Sequence, residues 1–81
     1  MNLKLTLLTL LDQAGGYLLP EETLLQNLLL QAPRATRTDA AAQLRELEAL
    51  GWAISIPSRL EAQHRWGLTD EGRAELRQRR L

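Results

Sequence analysis

The chain has no cysteine, phenylalanine or valine, one lysine and one histidine. Without cysteine neither a disulfide nor a thiolate metal site can form. A lone histidine offers too few ligands for a metal centre, so none is expected, and His64 is read as a strand or core-edge residue. Aromatics are confined to Tyr17, Trp52 and Trp66. No apolar run reaches membrane-spanning length, and Lys4 and Asp12 punctuate the leucine-rich start. That start has no clear small-residue cleavage site and its leucines keep helical spacing, so it is read as mature structure, with the cytoplasm as the expected location. There is no glycine-rich phosphate loop and no nucleophile beside a base, and Glu46 and Glu48 point to different helix faces. No catalytic residue, cofactor, small-molecule substrate or enzymatic activity is therefore expected.

What is present is leucine, which favours helix over sheet, in 81 residues that suit one small domain. Ten basic residues balance ten acidic ones, which argues against strong nonspecific binding to nucleic acid. The balance is uneven along the chain. Residues 1–33 hold Lys4 against Asp12, Glu21 and Glu22; residues 34–81 hold nine arginines against seven acids. Arginine is the better cation for bidentate contact with phosphate or guanine.

The best-marked stretch runs from Thr36 to Gly51. Thr36 or Thr38 can cap a helix, Asp39 stands three residues after Thr36 as in a capping box, and Gly51 suits the left-handed position past its end. Ala40, Leu44 and Leu47 share one side, with Leu50 at its edge. Thr38, Asp39, Ala42, Arg45, Glu46 and Ala49 share the other.

Before it, Asn2 can cap a first helix reaching about Ala14, with Leu3, Leu7, Leu10, Leu11 and Ala14 as its core stripe and Gly15-Gly16 as its end. Leu5 and Leu8 fall off that stripe. Tyr17-Leu18-Leu19 suits a brief strand. Pro20 begins a second helix whose buried stripe is Leu24, Leu25, Leu28 and Leu29, with Leu30 pointing elsewhere. Ala32-Pro33-Arg34-Ala35 connects it to the third.

After Gly51 the period changes to two. Trp52, Ile54 and Ile56 alternate with Ala53 and Ser55; His64, Trp66 and Leu68 alternate with Arg65 and Gly67. The spacing predicts two strands joined by a loop over 57–63 with Arg59 near its tip, both tryptophans facing inward. Thr69 then caps a last helix, with Asp70 and Glu71 leading and Arg77, Arg79 and Arg80 trailing, as its dipole favours.

Two motifs at this spacing carry a resemblance. Leu44-Arg45-Glu46-Leu47-Glu48-Ala49-Leu50-Gly51-Trp52 resembles the exit from a recognition helix, and Leu68-Thr69-Asp70-Glu71-Gly72-Arg73-Ala74-Glu75-Leu76 resembles the segment that closes a wing. Over nearly its whole length the chain is similar to winged helix-turn-helix domains of small bacterial regulators of the MarR and PadR type. The resemblance implies an α+β fold: a three-helix core, a two- to three-stranded antiparallel wing and a C-terminal helix. It implies sequence-specific binding of double-stranded DNA by a small transcriptional regulator, bacterial or phage-borne. The recognition helix would be 37–50 and the wing 57–65. Bases would be read from Arg37, Thr38, Asp39 and Ala42, with Gln43 and Arg45 on the flanks, and Arg34, Arg59 and Arg65 would meet phosphates. The chain departs from those regulators in having few cations in the wing loop and no long dimerisation helices.

Two alternatives stay open on the residues alone. Arg45 could pair with neighbouring glutamates while Thr38 and Asp39 merely cap, and the domain could be a winged-helix module that binds protein instead of DNA, docking a partner on the outer face and surplus leucines. Leu5, Leu8 and Leu30 could form an apolar patch for a homodimer with two recognition helices about one DNA turn apart, or the C-terminal helix could fold back and cover them.

Overall fold

The computed structural model describes residues 2–57 and 64–80. In order these form α1 (Leu3–Gln13), β1 (Leu19–Pro20), α2 (Glu21–Gln31), α3 (Arg37–Ala49), β2 (Ala53–Pro57), β3 (His64–Leu68) and α4 (Asp70–Arg80). The fold is α+β. Among the described residues, four helices pack with one antiparallel sheet in the order β1-β3-β2.

Helix α1 begins where Asn2 Oδ1 accepts the Leu5 N–H at 3.1 Å, and the chain leaves it through Gly15 at φ +66°. It packs against α2, α3, α4 and β3. A helix covered on that many sides must be apolar around most of its girth. Leu7, Leu8, Leu10 and Leu11 are accordingly all buried, and Leu3 and Leu5 pack against the core. This corrects the reading of Leu5 and Leu8 as surplus surface leucines. Leu8 is fully buried, so the first helix offers no Leu5–Leu8 patch for a homodimer, and of Leu5, Leu8 and Leu30 only Leu30 is exposed, at 80%. Helix α4 packs on α1, contributing Leu76 to the same core, while Arg73 Nε lies 3.8 Å from Asp12 Oδ1.

Strand β1 starts two residues later and ends one residue later than the sequence suggested. Leu19 pairs with Trp66 and Pro20 with Arg65, and Tyr17 remains outside the sheet, 82% exposed. An edge position tolerates Pro20, which has no N–H to donate. The same residue is the N-cap of α2. Leu24, Leu25 and Leu28 bury the inner side of α2, and Leu29 is half-buried.

Helix α3 carries the full capping box: Thr36 Oγ1 accepts the Asp39 N–H at 3.0 Å and Asp39 Oδ2 accepts the Thr36 N–H at 3.4 Å. At its other end the Trp52 N–H donates to the Leu47 carbonyl at 2.9 Å and the Gly51 N–H to the Glu48 carbonyl at 3.0 Å. This is the paired closure of a Schellman motif, and it needs the left-handed φ of +81° that Gly51 supplies. Ala40, Leu44 and Leu47 are buried; Leu50 is half-exposed.

The phase of β2 is the reverse of the sequence reading. Ala53 is buried, whereas Ile54 and Ile56 are 48% and 40% exposed. Register explains it. Ala53 pairs with Leu68 and Ser55 with the buried Trp66, so the inner layer opposite a tryptophan has room only for small side chains. Trp52 belongs to the helix exit, half-buried, with the Arg79 guanidinium 5.7 Å from its ring centroid. Trp66 does face inward, and its Nε1 donates to Glu21 Oε1 at 3.0 Å, satisfying the ring's one polar atom.

A clasp joins the end of α3 to the start of α4. The Thr69 hydroxyl donates to the Gly51 carbonyl at 2.6 Å and accepts the Gly72 N–H at 3.0 Å; the Thr69 N–H donates to the Trp52 carbonyl at 3.2 Å. A Cβ at position 72 would collide with that carbonyl and with Leu68. Glycine there lets the first turn of α4 lie directly on the backbone of the helix exit.

Candidate nucleic-acid interface

The capping box fixes where α3 begins, and its buried stripe fixes which way the helix turns. Thr38, Asp39, Ala42, Arg45, Glu46 and Ala49 consequently all face solvent. Arg37, Thr38, Ala41, Ala42 and Arg45 line a shallow groove of about 410 Å³ along this face. Two of the five lining residues are alanines, and the two arginines lie eight positions apart, about 12 Å along the axis at 1.5 Å per residue.

The other residues singled out from the sequence fall elsewhere. Arg34 and Asp39 line a neighbouring depression of about 400 Å³ with Leu3, Gln31, Ala32, Pro33 and Ala35. Asp39 also keeps its capping bond there. Gln43 is half-buried and does not line the groove. Arg65 sits half-buried on β3, opposite Ile56 and Pro20, with interactions of its own inside the fold. Arg59 lies outside the described residues. His64 is exposed at the start of β3.

The acids on α3 have partners other than Arg45. Glu46 Oε2 lies 2.8 Å from Lys4 Nζ, and Glu48 Oε2 accepts the Ser55 hydroxyl at 2.6 Å. Among the described residues Arg34 and Arg45 have no ion-pair partner. The alternative in which neighbouring glutamates neutralise Arg45 is thereby corrected.

Arg37 is held. Its Nη1 donates to Glu22 Oε1 at 2.8 Å and its Nη2 donates to Glu22 Oε2. The Arg37 hydrogen bonds keep the Glu22 carboxyl below its ordinary pKa, and Glu22 in turn raises that of Arg37. Sequence reasoning missed this residue. In the sequence Glu22 counts only as one of the acids of residues 1–33, and it stands 15 positions from Arg37, beyond any helix-face rule. Ala41 was missed as well, since small residues carry no chemical signal of their own.

Thr69 and Gly72, both within the wing-closing motif, form the clasp behind α3 and do not lie at its exposed face. The chain matches no protein-family model, no curated protein and no solved structure.

Proposed function

We propose that the chain is a winged helix-turn-helix domain that binds double-stranded DNA in a sequence-specific manner, with α3 as its recognition helix, as in a small transcriptional regulator. The observation that carries this reading is the exposed groove on α3, lined by Arg37, Thr38, Ala41, Ala42 and Arg45. A major groove about 12 Å wide admits a helix, and small side chains let the backbone come close enough for the arginines to reach base edges. The element order supports the same reading, since α2 and α3 are joined by a short turn and followed by the β2–β3 pair. Arg34, in that turn, would meet a phosphate. With a formal net charge of zero, the domain would owe little of its affinity to nonspecific attraction. The reading assigns no catalytic role to any residue.

Fluorescence anisotropy against a randomised duplex pool, repeated over a range of salt concentrations, tests it. Binding that weakens with salt and enriches one sequence is expected. No binding even at low salt would overturn it.

A second reading, a protein-binding module of the same architecture, is favoured by one observation. Ile54 and Ile56 present an apolar outer face on the edge strand β2, where burial in a partner would be favourable. It expects charge substitutions at these isoleucines to abolish a protein contact and leave duplex binding alone.

A further inference from the structure

We propose that Glu22 is a positioning residue for sequence reading, holding the Arg37 guanidinium against the wall of the α3 groove so that its free edge is preset for a base. This rests on the DNA-binding reading above. A guanidinium carries five N–H donors in a planar fork. The bonds to Glu22 engage its two terminal nitrogens, one hydrogen each, along the end-on edge. The Nε–H and the adjacent outer Nη–H remain as a second, parallel pair along the side-on edge. Such a pair matches the O6 and N7 acceptors of guanine. Arg37 lines the groove while it is held, so the held group is already at the surface that would meet DNA.

Orientation is what the contact supplies. An unrestrained arginine loses rotamer freedom when it docks, whereas one already fixed to a neighbour does not lose it again. Arg45 lines the same groove with no such restraint among the described residues. Glu22 also has an unfavourable effect. Its carboxylate brings negative charge towards phosphates, which weakens binding to every sequence alike. Glutamate is ionised at neutral pH, so that charge is present under the conditions of binding. Preference and overall affinity should therefore move in opposite directions when the carboxylate is removed.

The experiment measures wild type, Glu22→Gln and Glu22→Asp on two probes: a duplex that the wild type has selected from a randomised pool, and an unselected duplex of the same length. Glu22→Gln should bind the unselected duplex more tightly, while its preference for the selected one falls by about five- to a hundredfold, the range of one bidentate base contact. Glu22→Asp keeps the charge but is one methylene shorter, so preference should fall with no gain on the unselected duplex. A charge swap, Glu22→Arg with Arg37→Glu, restores an ion pair but not the orientation, and should leave preference low. Unchanged preference in Glu22→Gln, or full recovery in the swap, would make the contact merely structural and overturn the inference alone. A wild type that binds neither probe at low salt would overturn the DNA reading and this inference with it.

Discussion

Two glycines show how much a single hydrogen atom decides in this chain. At Gly72 an added Cβ would strike the backbone carbonyl of Trp52, which cannot move without opening the clasp made by Thr69. At Gly67 the nearest atom would be the end of the Leu18 side chain, which can swing aside. Gly72→Ala should therefore lower stability by about 2–3 kcal/mol or more, the upper range for overpacking, in urea unfolding. Gly67→Ala should cost less than about 1 kcal/mol, because alanine also relieves the entropic penalty of glycine in a strand. Equal effects would mean that the approach of α4 to Trp52 is not what Gly72 serves. The Glu22–Arg37 contact has a signature in pH. A carboxyl held below its ordinary pKa stabilises the fold at pH values above the unfolded carboxylate range, and that contribution fades as pH falls through the folded value. Wild type and Glu22→Gln should differ in their urea midpoints at neutral pH and converge in acid. The gap will be small, since the pair is exposed. A gap that persists unchanged in acid would contradict it.

Among the elements, helices were legible in proportion to how much of their information is local. Helix α3 has its capping box, its buried stripe of Ala40, Leu44 and Leu47, and its closing Gly51 within sixteen consecutive positions, and the structure places each as the sequence suggested. Thr36→Ala should accordingly cost about 1 kcal/mol, as loss of an N-cap usually does, and thermal unfolding would measure it. Helix α1 was only half legible. Its stripe could be counted, but nothing in residues 3–13 says that α2, α3, α4 and β3 all pack against this helix and bury Leu8 off the stripe. Strand β2 was misread for a related reason. Alternation gives a period of two but not which phase is buried, and here Trp66, across the sheet, excludes the isoleucines from the inner face. The candidate site divides in the same way. The helical face was readable, while the clamp on Arg37 comes from another helix. Leu8→Ala should destabilise by about 2–5 kcal/mol and Leu30→Ala by less than about 0.5 kcal/mol. Comparable losses at both would restore Leu8 to the surface.

At the scale of the whole molecule the charges cancel, yet their placement does not. Each acid on the C-terminal half of α3 is engaged, Glu46 by Lys4 and Glu48 by Ser55, and among the described residues this leaves Arg45 without an ion-pair partner in the groove. On the opposite account, the exposed isoleucines of β2 are the functional surface and the arginines are ordinary solvated cations. The two accounts separate at Arg45. The decisive measurement is anisotropy at several salt concentrations of wild type and Arg45→Ala, each on a duplex selected from a randomised pool and on an unselected one. If α3 reads bases, Arg45→Ala should weaken binding to the selected duplex by about five- to a hundredfold and leave the unselected one nearly unchanged. Identical curves for the two proteins on both duplexes, or no binding by either at low salt, would contradict the account.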